Sequence, residues 1–372
     1  MAEEYLGESI GKLGFGFMRL PKKNDTFDYE TIKRMVDLFL EAGFTYFDTA
    51  YVYQGSEEAL RETLVKRHPR EKYTIATKLN LMPVNKPEDM QAMFDTSLAR
   101  LGTDYVDFYL LHGLGAETNK KAEELGAWEF VKKLKQDGKI KHYGFSYHDN
   151  PENLDIILTK HPDAEFVQLQ INYLDWQSDE VQSRGVYEIS RKHNKPVIIM
   201  EPVKGGLLAG NDSPVSKILK AADPEASEAS WAMRFAASLD GLLTVLSGMS
   251  SISQLEDNIA TIKNFRPLSV SDTDVIKRAV DALNSTPRVP CTGCRYCVEN
   301  CPQKINIPAL MDLYSNYLMY NSTVNSEFRF LMATRDGGKP SSCVACRVCE
   351  GHCPQHIGIC DILANLAGLY EK

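Results

Sequence analysis

The chain has 372 residues, 43% hydrophobic and 25% charged, which is too apolar for intrinsic disorder and long enough for two domains. Against 50 acidic residues stand 42 basic ones, a formal charge of −8 with no local basic patch, which argues against nucleic acid or an anionic membrane surface as partner. The segment Met1 to Gly7 is acidic where a secretory leader needs positive charge, and no apolar run nears the roughly 18 residues of a membrane helix, so a cytoplasmic protein is expected.

From about residue 10 to 265, short β-branched and aromatic runs alternate with segments of helical periodicity. Strands are predicted at Leu13 to Met18, Thr45 to Phe47, Tyr73 to Thr77, Val106 to Leu111, His142 to Gly144, Phe166 to Ile171, Val197 to Met200 and Leu243 to Leu246. Helices are predicted between them, among others at Tyr29 to Glu41, Glu57 to Lys66, Glu88 to Arg100, Glu123 to Gln136, Asp179 to His193 and Glu225 to Ser238. Eight βα units in roughly 250 residues predict an α/β fold of the (β/α)8 TIM-barrel kind. A doubly wound sheet competes, but Gly11, Gly14 and Gly16 lack the spacing of its phosphate turn and no helix follows them.

The strand ends carry titratable groups. Asp48-Thr49-Ala50-Tyr51-Val52-Tyr53 follows the second strand, Lys78 ends the third and His112 the fourth. Singly, each has an ordinary explanation as a cap, a surface charge, a packed ring or a core histidine. Together they lie on the face where barrels do chemistry, which makes them a candidate catalytic set. The Lys78 ammonium is expected to favour the Tyr53 phenolate and ease proton donation, with Asp48 holding Lys78 in place. His112 would orient a carbonyl oxygen beside the Tyr53 hydroxyl, an arrangement suited to protonating a carbonyl that receives hydride on carbon, or to the reverse.

A helix predicted at Asp272 to Leu283 runs into the breaker-rich stretch 284–290, which divides a barrel domain, 1–285, from a second domain, 286–372. All nine cysteines lie at or beyond position 291. An odd count without a secretory leader argues against a disulfide framework and for thiolates held by metal. Cys291, Cys294, Cys297 and Cys301 before Pro302 recur as Cys343, Cys346, Cys349 and Cys353 before Pro354. In this spacing three thiolates share one loop and the fourth serves the other cluster. Two 4Fe-4S clusters are therefore predicted, one on Cys291, Cys294, Cys297 and Cys353, the other on Cys343, Cys346, Cys349 and Cys301. Zinc, which also favours thiolates, usually takes two separated Cys-x-x-Cys pairs. Cys360 is left over and reads as a small buried hydrophobe. Ala309 to Tyr320 has helical periodicity, so a small, mainly helical, ferredoxin-like iron-sulfur domain is expected. The pattern resembles the ferredoxin-type modules appended to redox enzymes, and the long spacer before Cys343 is similar to their α-helical variant.

The phrases Leu13-Gly14-Phe15-Gly16, Phe47-Asp48-Thr49-Ala50 with Tyr53, Gly55-Ser56-Glu57, Ser97 to Asp107, Leu110-Leu111-His112, Gly144-Phe145-Ser146 and Asp257-Asn258 make residues 10 to 265 resemble the aldo-keto reductase superfamily. With the cysteine-rich tail, the chain is similar to that superfamily's ferredoxin-bearing oxidoreductases. The resemblance implies a catalytic tetrad of Asp48, Tyr53, Lys78 and His112 and a small carbonyl or alcohol substrate. It places the nicotinamide carboxamide on Ser146 and Gln168 and the adenine end near Asn258. Three departures stand out. Met200 replaces the aromatic expected to stack on the nicotinamide. Tyr147 and His148 follow the serine where asparagine is usual, altering the polar wall beside the ring. The cofactor loop Ser247-Gly248-Met249-Ser250-Ser251, continuing to Gln254, lacks the basic residues that hold a 2'-phosphate, so contacts from Gly248 and Gln254 lean to NAD over NADP, with Lys204 a compensating cation.

Hydride carries two electrons and a cluster one, so coupling the halves calls for an intermediary such as a flavin, or a redox partner protein. The alternatives are structural or oxygen-sensing clusters, or an electron-carrier subunit or flavin-dependent reductase whose barrel is a docking or flavin site. The rim loops Gly113 to Lys120 and Gly206 to Pro214 are polar and glycine-rich and do not name a substrate.

Overall fold

Along a strand, successive side chains turn to opposite faces, and this alternation sorts the apolar runs of the barrel into an inner and an outer set. The computed structural model describes residues 6–8, 10–24, 26–179, 181–209, 214–285, 287–320, 323 and 326–371. Eight parallel strands, β1 (Leu13–Gly16), β2 (Tyr46–Asp48), β3 (Thr74–Leu79), β4 (Val106–Leu114), β5 (Ile140–Tyr147), β6 (Phe166–Gln170), β7 (Val197–Met200) and β8 (Leu242–Ser247), pair in sequence order. β1 joins β2 on one side and β8 on the other and closes the barrel, with Phe15 in register with Phe47 and Phe47 with Ile75. All eight predicted strands are present.

Phe15, Phe47, Ile75, Tyr109, Val167 and Val245 face outward into the core shared with the surrounding helices. Tyr46, Ala76, Phe108, Leu110, Phe166 and Ile198 fill the interior. Each large apolar side chain withdrawn from water in this way contributes about 1.5–3 kcal/mol. Tyr46 has its place because residue 14 is glycine: a Cβ there would lie 2.6 Å from Leu246 and 3.1 Å from the Tyr46 ring. The same parity carries Asp48, two residues after Tyr46, to the inner face, and likewise Lys78 after Ala76, His112 after Leu110 and Gln168 after Phe166.

The helices depart from expectation at three places. The segment predicted as one helix from Glu123 to Gln136 is two, Ala116–Glu124 and Ala127–Gln136, because Gly126 at φ 70° breaks the run. The first of these also turns most of the expected loop Gly113 to Lys120 into helix. The helix predicted at Glu57 to Lys66 starts as α-helix at Ser56–Leu60 and widens to a π-helical turn at Arg61–Val65. A hairpin of two-residue strands, Lys22–Lys23 and Thr26–Phe27, is too short to show a period in sequence.

After the helix Val270–Asn284 the cysteine-rich part folds around its own core, with Ile305, Leu310, Met311, Ile357 and Leu363 buried together. Helices Ile307–Tyr320, Glu327–Thr334 and Ile359–Tyr370 frame it, and one-turn helices Tyr296–Glu299 and Val348–Gly351 sit inside the cysteine loops. This part is mainly helical, as expected. Among the described residues no helix is long and apolar enough to cross a membrane. Residues 1–5 of the acidic N-terminus, Glu180 of a predicted helix, 210–213 of the second rim loop and Thr286 of the linker lie outside the described residues.

Candidate active site and cysteine cavities

The strand ends bring Asp48, Lys78, Tyr53 and His112 to one rim. The Lys78 ammonium is buried and donates to Asp48 Oδ1 at 2.6 Å and to the Thr49 carbonyl at 2.7 Å. It stands over the Tyr53 ring, 5.3 Å from its centre. Burial raises the Asp48 carboxyl and lowers the Lys78 ammonium, and their mutual attraction offsets this only in part. Here the structure corrects the expectation that Lys78 acidifies Tyr53. The ammonium is committed to Asp48 and the backbone, and the phenol is pushed well above its ordinary value by burial first, then by Tyr296 and Asp48, with Arg19 opposing. Tyr53 is thus held in its protonated, proton-donating form. His112 is pushed well below the usual imidazole value by burial and by the charges of Lys78 and His148, so it is neutral at pH 7.

On the cofactor side, Ser146 Oγ accepts the Gly113 N–H at 2.8 Å. Gln168 points its amide nitrogen at Met200 Sδ, 3.5 Å away, and leaves Oε1 buried without a partner. Asn258 donates to Ser247 Oγ at 2.8 Å and likewise leaves Oδ1 buried and unpartnered. Orphaned acceptors of this kind are costly unless a ligand donor satisfies them, and a carboxamide and an adenine amino group both bring N–H donors. Gln254 accepts the Ser250 N–H at 2.7 Å, which shapes the loop around Gly248. Two sequence expectations change here. Tyr147 faces the outer core and donates to the Asn150 carbonyl at 2.6 Å, so it is no part of the polar wall. Lys204 is buried and donates to Asp175 at 2.5 Å and to Gln355 at 2.7 Å, so it does not serve as a free cation for a phosphate.

The barrel rim and the cysteine-rich part meet through residues that sequence reasoning passed over. Arg19 pairs with Glu201 at 3.2 Å and donates to the Thr292 carbonyl at 2.8 Å. Gln355 and Gln170 exchange amide hydrogen bonds at 2.9 and 3.2 Å inside the buried network of Lys204 and Asp175. Tyr296 reaches the tetrad, its hydroxyl 3.4 Å from that of Tyr53 and 3.5 Å from His112 Nε2. The signal for these residues was thin: Tyr296 occupies a spacer position between Cys294 and Cys297, and Gln355 follows a Cys-Pro pair.

The cysteines line two small cavities. Cys291, Cys294, Cys297 and Cys353 line the first with Met311 and Ile357, and Cys301, Cys343, Cys346 and Cys349 line the second. The fourth cysteine of each motif therefore lies with the first three of the other. Cys360, expected to be only a buried apolar filler, is buried but also lines the second cavity beside Cys349. Thiols spread around a shared cavity suit the corners of a four-iron cubane, whereas zinc needs its sulfurs about 2.3 Å from one point. Among the described residues, no three His, Cys, Asp or Glu side chains converge in that single-ion manner. Burial pushes the Cys294 thiol up to about 11, and bound iron would reverse that shift. Thr292 and Gln355, which touch the rim, both line the first cavity, so that cavity is the one on the barrel side.

Comparison with known proteins matches residues 12–281 to the model of the aldo/keto reductase family and residues 290–357 to that of a 4Fe-4S dicluster domain. A probable aldo-keto reductase of Glycine max is 29% identical over 229 residues, 58% of this chain and 63% of that protein. An aldo-keto reductase of Mycolicibacterium smegmatis is 32% identical over 152 residues, 41% of this chain and 51% of the relative. The matched region thus spans only about half to three fifths of these relatives. Among solved structures, the holo form of an aldo-keto reductase from Bacillus halodurans superposes with a TM-score of 0.59 at 26% identity, covering 73% of this chain and 93% of that one. An aldo/keto reductase from Klebsiella pneumoniae, in complex with NADP and acetate, shares the fold with a TM-score of 0.58 at 21% identity, covering 72% of this chain and 91% of that one.

Proposed function

The chain belongs to the aldo/keto reductase family and carries a C-terminal 4Fe-4S dicluster domain, and from that premise we propose that it interconverts a small carbonyl compound and its alcohol by nicotinamide-dependent hydride transfer. The observation that carries the proposal is the convergence of the Tyr53 hydroxyl and His112 Nε2 on one point above a buried Lys78–Asp48 pair. The barrel domain is taken as residues 1–285 and the cluster domain as 286–372, acting in the cytoplasm where thiolates stay reduced.

Ser146, Gln168, Met200, Gly248, Gln254 and Asn258 would hold the nicotinamide dinucleotide, which would supply the hydride that the carbonyl carbon receives. Tyr53 gives its proton to the carbonyl oxygen, and neutral His112 donates a hydrogen bond from Nε2 to the same oxygen and orients it. Arg19 nearby favours the phenolate left behind, while Asp48 holds Lys78 in place against the ring. Burial places the His112 titration well below the neutral range and that of Tyr53 well above it. The kcat/KM for reduction is therefore expected to stay flat from about pH 6 to about pH 9, and an inflection near the ordinary imidazole value of about 6.5 would contradict a neutral His112.

The loop around Gly248 brings no cation, Lys204 is bound to Asp175 and Gln355, and Arg19 is bound to Glu201 and Thr292. NADH should therefore bind about tenfold more tightly than NADPH, the worth of one charge-assisted pair missing for the 2'-phosphate. Fluorescence titration of both measures this, and equal affinities would remove the preference.

The first cluster, on Cys291, Cys294, Cys297 and Cys353, would lie on the barrel side, with the second, on Cys343, Cys346, Cys349 and Cys301, beyond it toward a redox partner. That order supports relay of electrons to or from the barrel. Relay calls for a group that exchanges both one and two electrons, for which flavin is the class. Mass and absorbance of the anaerobically purified protein would identify it. The central test uses NADH deuterated at the transferring position with a panel of small aldehydes and ketones, propanal first: deuterium is expected on the alcohol carbon, and transfer to none of them would overturn the carbonyl reading.

A further inference from the structure

Resting on the carbonyl reading, one oxygen in the structure already stands where the substrate oxygen should. The Tyr296 hydroxyl lies 3.4 Å from the Tyr53 hydroxyl and 3.5 Å from His112 Nε2, and its ring meets the His112 ring edge-on with centroids 5.9 Å apart. This phenol does not come from the barrel. It comes from the first cysteine loop, at the start of the one-turn helix Tyr296–Glu299, between Cys294 and Cys297.

Its placement is built in. Arg295, just before it, takes the left-handed conformation at φ 69°, as Arg347 does at the matching place in the second cysteine loop. Arg19 pins the loop through the Thr292 carbonyl. Gly205, at φ 65°, leaves the room, since a Cβ there would lie 2.6 Å from that same carbonyl oxygen. Both hydroxyl contacts are at the outer limit of hydrogen bonding and therefore weak. A ligand oxygen that bonds Tyr53 and His112 at ordinary distances gives up little when it displaces them.

We propose that Tyr296 is the specificity-determining residue of the barrel site: its side chain fills the carbonyl-oxygen position, so a substrate enters only by displacing it, and bulky carbonyl compounds are disfavoured. The cluster-bearing domain thereby sets which carbonyl compounds the barrel accepts. Removing the ring should open the site to aromatic aldehydes and to carboxylates that imitate them. Removing only the hydroxyl should relieve the competition for Tyr53 and His112 but keep the bulk.

The test uses the full-length, anaerobically purified protein with its iron and sulfide content measured, comparing the parent with Tyr296→Ala and Tyr296→Phe. Benzoate binding in the presence of NAD, by equilibrium dialysis, is read beside the KM for 4-nitrobenzaldehyde. In Tyr296→Ala both constants should fall about tenfold or more, the range that a change of pocket volume controls. In Tyr296→Phe, benzoate should bind more tightly than to the parent and less tightly than to Tyr296→Ala. Unchanged or weaker benzoate binding in Tyr296→Ala with the parent's iron content overturns the proposal, as does loss of turnover in both variants, which would make the phenol a participant and not an obstacle. Should Tyr296→Ala lose iron, Tyr296→Phe decides: tighter benzoate binding supports the proposal and unchanged binding overturns it. The benzoate arm involves no hydride. Tighter binding with no aldehyde reduced by any variant would fault the carbonyl reading, whereas reduction that depends on Tyr53 but ignores Tyr296 would fault this inference.

Discussion

Tyr53→Phe is expected to slow carbonyl reduction by at least about 100-fold, the lower end of what a lost general acid costs. The substitution removes one oxygen and keeps the ring under Lys78, whose hydrogen bonds go to Asp48 and Thr49 and not to the phenol. The Lys78–Asp48 pair should therefore survive, and NADH should bind as it does to the parent. Because burial keeps Tyr53 protonated, the loss falls on kcat as well as on kcat/KM, the signature of an interaction made at the transition state. Single-turnover hydride transfer with saturating NADH isolates the step. A variant that turns over at the parental rate would leave the barrel without its proton donor and the proposed mechanism without a basis.

The second large effect concerns iron. With all eight ligands present, about eight irons and as many sulfides are expected after anaerobic purification. The cavities group Cys353 with Cys291, Cys294 and Cys297, and Cys301 with Cys343, Cys346 and Cys349. A Cys294→Ser, Cys353→Ser double variant should therefore lose one cluster and keep about four irons, whereas Cys346→Ser with Cys353→Ser should lose both. If each motif instead served its own cluster, the two doubles would trade results, so iron counts and the visible absorbance separate the arrangements. The first double should also loosen the contacts of Thr292 and Tyr296 with the rim, since both belong to the loop that would lose its metal.

Much of the fold was legible because its signals are short-range. Apolar runs ending in titratable groups put Asp48, Lys78 and His112 at the catalytic end of a barrel, and strand parity, followed one residue past Ser146, turns Tyr147 outward, a consequence the sequence-based expectation missed. The break at Gly126 was equally local, but it is carried by a single φ angle that periodicity alone does not report. The two cysteine motifs announced their chemistry and even their crossing, since three thiolates on one tight loop leave the fourth to another site.

Two of the electrostatic expectations failed because burial and local pairing outweigh the pull of a neighbouring charge. Lys78 was expected to act on Tyr53 and Lys204 on a phosphate, yet each is buried against a carboxylate, Asp48 and Asp175, that satisfies it. A buried ammonium must be paired where it lies, and which carboxylate reaches it depends on how strand ends and loops pack around it.

Sequence pattern alone determined the barrel, the row of titratable groups at its strand ends and the two quartets of thiols, because strand pattern and ligand spacing act over a few residues. Tertiary structure alone decided what faces that row. Tyr296 meets Tyr53 across 243 positions of chain, and Gln355 meets Gln170 across 185. Contacts at such separation arise only when two separately cored parts settle against each other, and no local period encodes which side chains then share a hydrogen bond.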